Sequence, residues 1–252
     1  MNRPLLELSG VHTHIGAYHI LHGVDLVVPE GEVTMLLGRN GAGKTTTLRT
    51  IMGLWPASRG EIRFDGQAIG GESSRPAKIG TPDIARLGVA YVPENMGIFG
   101  DLTVRENLLL AARHASTAAQ MDPARLAWLF GLFPALEKFW LHPAAQLSGG
   151  QKQMVAIARA LVEERRLLLI DEPSKGLAPV IVQNLITALR ELKRTRTTVL
   201  LVEQNFAVAK ALGDHVAVMD DGRVVHHGAM AEIAERGDLQ QRFLGLSLEG
   251  QP

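Results

Sequence analysis

One stretch, Gly38-Arg39-Asn40-Gly41-Ala42-Gly43-Lys44-Thr45-Thr46, constrains this chain more than any other. It fits the pattern Gly, four residues, Gly-Lys-Ser/Thr, and its surroundings give the pattern structural meaning. Residues 33–37 form a short apolar run that reads as a buried strand, and residues 46–52 carry a helix. Glycines at these positions let consecutive backbone N–H groups turn inward around a polyphosphate, and the helix N-terminus adds a favourable dipole. Lys44 supplies a point charge to the terminal phosphates, and the Thr45 hydroxyl is a ligand for Mg²⁺. The expectation is a nucleotide site built on a strand-to-helix turn.

The 252 residues suffice for one large α/β domain or two small ones. With 46% hydrophobic and 21% charged residues the composition is globular rather than disordered. The formal net charge of zero removes a general attraction to nucleic acid or anionic lipid. The absence of cysteine excludes disulfides and zinc–thiolate sites. The first eleven residues lack the apolar core of a signal peptide, and no run approaches the roughly 20 apolar residues that span a bilayer. A chain soluble by itself is expected.

Residues 5–11 and 20–28 read as strands, with a tight turn over 29–32 before the strand at 33–37. Between them lie His12, His14 and His19, followed by His22. No carboxylate or thiolate interleaves with the first three, and strand alternation is expected to split them between faces, so a metal site is rejected. Residues 60–64 read as a strand ending in an Asp65-Gly66 turn, 70–78 as an exposed loop, and 88–92 as a strand followed by Pro93-Glu94-Asn95. Thr103 and Glu106 form a capping box for a helix to about residue 114, and Pro123 opens a helix over 122–130. No strand is evident from 99 to about 146, which reads as a helical insert.

Leu147-Ser148-Gly149-Gly150-Gln151 opens a helix whose apolar residues run from Met154 to Val162 at helical spacing. It presents a hydroxyl and free N–H groups suited to an anion. Residues 167–170 are a buried strand ending in Asp171-Glu172, where one carboxylate is placed to hold Mg²⁺ and the other to polarise an attacking water. A helix over 180–193, a strand over 198–202 and a helix over 205–212 follow. A hairpin then joins 215–219 and 223–227 across Asp221-Gly222, and a last helix covers 229–244. Strands alternating with helices imply a largely parallel sheet with the ligand at the strand carboxyl ends.

The phosphate loop, Leu-Ser-Gly-Gly-Gln at 147–151 and Ile-Asp-Glu-Pro at 170–173 together resemble the ATP-binding subunits of ABC transporters over nearly the whole chain. Tyr91-Val92-Pro93-Glu94, Glu172-Pro173-Ser174-Lys175-Gly176-Leu177-Ala178-Pro179 and Leu201-Val202-Glu203-Gln204-Asn205 are similar to the branched-chain amino acid importers, in particular their second ATPase subunit. The resemblance implies an α/β fold: a P-loop ATPase core with a mostly parallel sheet, an N-terminal antiparallel β portion and a helical subdomain at about 99–163. All of it would lie within a single domain, 1–252. It implies that Gly38 to Thr46 hold ATP, that Thr45 and Asp171 hold Mg²⁺, and that Glu172 polarises the water. Ser148, Gly149, Gly150 and Gln151 would reach ATP on a partner ATPase subunit in a head-to-tail dimer. Membrane permease subunits would meet the helical insert, and a solute-binding protein would act with them, placing the chain at the cytoplasmic face of the cell membrane.

Four positions depart from the general pattern of that family. Ile15 stands where an aromatic usually stacks on adenine, leaving His14 or Tyr18 as substitutes. Glu94 replaces a glutamine and is a candidate Mg²⁺ ligand. Ala178 replaces an aspartate of the loop that crosses the dimer interface. Gln204 replaces the switch histidine, an amide able to donate a hydrogen bond but not to carry a proton. The departures at Ala178 and Gln204 favour a heterodimer over a homodimer. A urea or short-amide importer and an export system are the alternatives within the family, followed by a soluble ABC ATPase of translation or DNA repair, a class that usually carries two cassettes in one chain or a long coiled-coil insert. A kinase or GTPase does not account for Leu-Ser-Gly-Gly-Gln.

Overall fold

The computed structural model describes residues 3–72, 79–112, 117 and 120–244. Strands β1 (Pro4–Ile15), β2 (Tyr18–Pro29) and β3 (Val33–Gly38) come first, then helix α1 (Lys44–Ile51), β4 (Ala57–Phe64) and β5 (Gln67–Gly71). A short α2 (Thr81–Arg86) leads to β6 (Val89–Val92). Helices α3 (Val104–Leu109), α4 (Pro123–Leu132), α5 (Pro134–Lys138) and α6 (Gly149–Leu161) follow. The chain then alternates through β7 (Leu167–Asp171), α7 (Pro179–Arg194), β8 (Thr198–Val202) and α8 (Phe206–Leu212). It ends with β9 (His215–Asp220), β10 (Arg223–Ala229), α9 (Met230–Glu235) and α10 (Gly237–Leu244).

Two sheets result. The first is antiparallel, in the order β2-β1-β4-β5; the second, in the order β10-β9-β3-β8-β7-β6, is parallel except for the β9–β10 hairpin. The central strands β3, β7 and β8 are buried along their whole length, as expected of parallel strands covered on both faces. Alternation along each strand divides them between two cores. Leu167, Leu169 and Leu200 point into the core shared with α1 and the antiparallel sheet. Leu168, Ile170, Val199 and Leu201 point into the core shared with α6, α7 and α8. Val104 and Leu108 of α3, Leu129 of α4 and Leu136 of α5 belong to that second core as well, so the helical insert packs on the sheet rather than on a core of its own.

Several expectations need correction. The stretch between the first two strands is itself strand, closed by a turn at Gly16-Ala17. Strand alternation does not separate the histidines. In β2, Gly23 is an extra residue between the pairs Val11↔Val24 and His12↔His22, and Ile20 is extra between Thr13↔Leu21 and His14↔His19. The bulge at Ile20 resets the phase of β2 between His19 and His22, so all four rings gather. His14 and His19 stack with centroids 4.2 Å apart and planes 7° apart, and His22 lies 4.1 Å from His19. Gly70 and Gly71 pair in β5 rather than looping, while residues 73–78 of the expected loop lie outside the described residues. The helix after Thr103 ends at Leu109, where the Ala111 N–H turns to the Leu108 carbonyl in a tighter bond, and its expected end at 114 lies outside the described residues. The last helix is two, broken where Arg236 takes an extended conformation before Gly237.

Candidate nucleotide site

The pairings Leu36↔Val202, Asp171↔Val202 and Val92↔Ile170 bring the carboxyl ends of β3, β8, β7 and β6 to one edge of the sheet. The segments leaving those ends carry the candidate residues. Gly38 has φ 147°, and a Cβ there would lie 2.3 Å from the Met219 carbonyl oxygen, so no other residue fits the start of the loop. Gly43 has φ 101° and caps α1 without a side chain, leaving the first N–H groups of the helix for an anion. Lys44 is only 4% exposed; its Nζ donates to the carbonyls of Gly38 (2.9 Å) and Arg39 (3.0 Å) and lies 3.6 Å from Glu172 Oε1.

Thr45 Oγ1 donates to Asp171 Oδ1 at 3.0 Å, and Tyr91 Oη donates to Asp171 Oδ2 at 3.3 Å. Asp171 is fully buried. Burial raises its carboxyl above the ordinary value, the hydrogen bonds of Thr45 and Tyr91 working against that. Burial, then the charge of Asp171, pushes the Tyr91 phenol up to about 12. Two hard oxygen donors converging in this way fit Mg²⁺.

Glu172 sits at φ 47°, a left-handed conformation uncommon outside glycine. Its Oε1 accepts from Gln204 Nε2 at 2.6 Å, and its Oε2 lies 3.4 Å from Lys175 Nζ. The same Gln204 nitrogen donates to Asn40 Oδ1 at 2.6 Å, so Gln204 joins the phosphate loop to the residue after Asp171. Glu94, expected near Mg²⁺, forms an ion pair with Lys175 at 2.5 Å.

Sequence reasoning passed over three participants. Tyr91, Lys175 and Glu203 stand in the sequence only as members of motifs. Glu203 is a buried carboxylate that accepts from Ser174 Oγ (2.8 Å) and N (3.0 Å) and from the N–H groups of Gln204 (3.2 Å) and Asn205 (3.3 Å). Burial raises its carboxyl as well. The visible signal is an acidic residue directly after the apolar run 199–202.

Ser148, Gly149, Gly150 and Gln151 open α6, where Ser148 Oγ accepts from the Gln151 N–H and Gln151 Oε1 from the Ser148 N–H. Among the described residues no hydrogen bond or ion pair joins them to the phosphate loop. Gly150 has a packing reason of its own, since a Cβ there would lie 2.4 Å from the Ile181 side chain. Tyr18 is 76% exposed at the hairpin tip, and His14 bonds Ser58 Oγ at 3.1 Å. A cleft of about 240 Å³ is lined by Gly38, Arg39, Asn40, Glu203, Gln204 and Phe206. A slightly larger one, about 280 Å³, lies beside Met121, Arg125 and Val162 on the helical side, and none of the site residues line it.

A glycine-rich turn from a parallel strand into a helix, with a lysine and strand-end carboxylates beside it, defines a P-loop nucleotide-binding protein. The ABC transporter family model matches residues 21–175, and the chain belongs to that family, whose ATP-binding subunits bind nucleotide, are ATPases and work with membrane permease subunits. A relative from Pseudomonas aeruginosa, the high-affinity branched-chain amino acid transport ATP-binding protein BraG, is 38% identical over 96% of this chain and 100% of its own length. The probable branched-chain amino acid transport ATP-binding protein LivF of Archaeoglobus fulgidus is 34% identical, over 90% and 93% of the two chains. A solved ATP-binding subunit of an ABC transporter superposes with a TM-score of 0.76 at 32% identity, over 96% of both chains.

Proposed function

We propose that this chain is the ATP-hydrolysing subunit of an importer for branched-chain amino acids or a similar small solute, acting at the cytoplasmic face of the membrane. The observation that carries the hydrolytic part is the convergence of Lys44, Thr45, Asp171 and Glu172 at one edge of the sheet. Lys44 and the N–H groups from Gly38 to Thr46 would hold the phosphates of ATP. Thr45 and Asp171 would hold Mg²⁺, which supplies charge neutralisation on the phosphates when bound, with Glu94 as a further carboxylate nearby. Glu172 would polarise the water, oriented through Gln204. The import reading rests on the names of the relatives and on Val-Pro-Glu at 92–94 and Val-Glu-Gln-Asn at 202–205.

Ser148 to Gln151 at the start of α6, where Ser148 and Gly149 are exposed, would face ATP on a second ATPase subunit. Ala178 caps α7 with no side-chain bond, and Gln204 carries no proton, so a different partner subunit would complete the assembly, with its two sites hydrolysing at unequal rates. Residues 99–163 would serve as the helical subdomain that meets the permeases, and a solute-binding protein would deliver the solute to them.

Replacing Lys44 by Ala removes a charge-assisted phosphate contact of about 1.5–3 kcal/mol, so ATP is expected to bind at least about tenfold more weakly. Glu172→Gln is expected to keep ATP binding while lowering kcat by about a hundredfold or more. Isothermal titration and turnover assays of the complex purified with its permeases check both. Wild-type affinity in the first variant or wild-type turnover in the second would overturn the role concerned. Loss of leucine-type uptake in a deletion strain tests the solute.

A further inference from the structure

We infer that Lys175 is a positioning residue for ATP hydrolysis, its ammonium tying Glu172 to Glu94 and so to the surface segment that follows Glu94. This rests on the reading of Glu172 as the residue that polarises water. Strands β6 and β7 are parallel neighbours with Val92 beside Ile170, so Glu94 and Glu172, each two residues further on, leave the sheet side by side. Two carboxylates at adjacent strand ends repel each other, and Lys175 lies between them, 2.5 Å from Glu94 Oε1 and 3.4 Å from Glu172 Oε2.

The lysine reaches that point because its backbone is held. The Lys175 N–H donates to the Glu172 carbonyl at 3.2 Å, closing a tight turn. The preceding Ser174 is fixed by two hydrogen bonds to the buried Glu203. Glu172 is thereby gripped on both oxygens, Oε1 by Gln204 and Oε2 by Lys175. The grip matters because Glu172 holds a left-handed backbone conformation, φ 47°, that its surroundings must impose.

On the other side, Glu94 begins a turn closed by the Met96 N–H on the Pro93 carbonyl, and that turn leads to the half-exposed Phe99. Arg159 of α6 donates to the Gly97 carbonyl within it and lies over the Phe99 ring, 5.3 Å from its centroid. A displacement of this segment therefore pulls on Lys175 through Glu94 and shifts the Glu172 carboxylate. Among the described residues no hydrogen bond or ion pair joins the ammonium to the phosphate loop or to Asp171, so its effect belongs to the chemical step and not to nucleotide binding.

The test is a set of variants in the complete complex with its permeases, measured for KM and kcat of ATP hydrolysis. Lys175→Met, nearly isosteric and neutral, is expected to lower kcat about tenfold with KM for ATP within about twofold, and Lys175→Arg to restore most of the rate. In a double-mutant cycle with Glu94→Gln the two losses are expected to be strongly non-additive. Unchanged kcat in Lys175→Met, equal changes in KM and kcat, or additive losses with Glu94→Gln would overturn the assignment. Glu172→Gln run in parallel separates the two claims. If it abolishes turnover while Lys175→Met leaves kcat unchanged, the Lys175 assignment alone falls; if it turns over normally, the Glu172 reading falls and takes this inference with it.

Discussion

Asp171 and Glu203 are two buried carboxylates held by different means. Asp171 has two hydroxyl donors, from Thr45 and Tyr91; Glu203 has one hydroxyl and three backbone N–H donors. In both, burial outweighs the hydrogen bonds and raises the carboxyl above its ordinary value, 3.8 for Asp and 4.5 for Glu. A carboxyl whose folded-state pKa is raised contributes stability that is full below the ordinary value and lost as pH rises through the raised one. Ionising Asp171 therefore costs stability, the trade expected of a carboxylate kept for the proposed Mg²⁺ role rather than for the fold. Asp171→Asn keeps an oxygen to accept from Thr45 and is expected to raise Tm by about 2 °C near pH 7, with a smaller gain below about pH 4. It is also expected to lose Mg²⁺-dependent turnover. Melting curves at the two pH values check the sign, and a lower Tm at neutral pH would show that the carboxylate is stabilising.

At the scale of elements, the β1–β2 hairpin is the part most unlike its sequence-based expectation. Gly222 ties it to the phosphate loop. The His22 N–H donates to the Gly222 carbonyl and the Gly222 N–H to the Ala42 carbonyl, and Leu21 packs over Gly43. The four gathered histidines lie on this hairpin with Arg59 of β4 and Arg223 of β10 beside them. Desolvation and these neighbouring positive charges lower His12; desolvation and the other histidines lower His19. A base with a depressed folded-state pKa contributes stability present above its ordinary value, 6.5 here, and lost as pH falls through the folded one. Amide protection factors across residues 13–21, corrected for intrinsic exchange, are expected to hold above about pH 6.5 and to fall as the pH drops below it. The fall should be smaller in His19→Gln. Hydrogen exchange by mass spectrometry reads this directly, and pH-independent protection in the wild type would remove the idea.

For the whole molecule, the question is which surface meets the permeases. The apolar residues after Glu94 divide: Met96 and Ile98 pack on the core, while Phe99 stays 51% exposed. Its backbone is locked by the buried Asn107, which accepts from the Phe99 N–H and donates to its carbonyl. Phe99→Ala therefore leaves the fold in place and removes an exposed cation–π contact with Arg159, about 0.5–1 kcal/mol and a Tm change of no more than about 4 °C. Recovery of the permeases in a pull-down is expected to fall far more than Tm does. A large drop in Tm with normal assembly would place Phe99 in the core.

The sequence by itself determined the features that local chemistry dictates. The turn from Gly38 to Lys44 needs glycines and a lysine, the mostly apolar runs at 33–37, 167–170 and 198–202 read as buried strands and are, and Thr103 with Glu106 caps its helix within four residues. Those parts were legible because the interactions that decide them lie close in the chain. The tertiary structure alone decided that Gln204 bridges Asn40 and Glu172, that Glu203 holds Ser174, that Lys175 stands between Glu94 and Glu172, and that a bulge at Ile20 gathers four histidines. Each of those contacts joins strand ends or paired strands whose separation along the chain says nothing of their distance in space, so only the order and register of the sheets could bring them together.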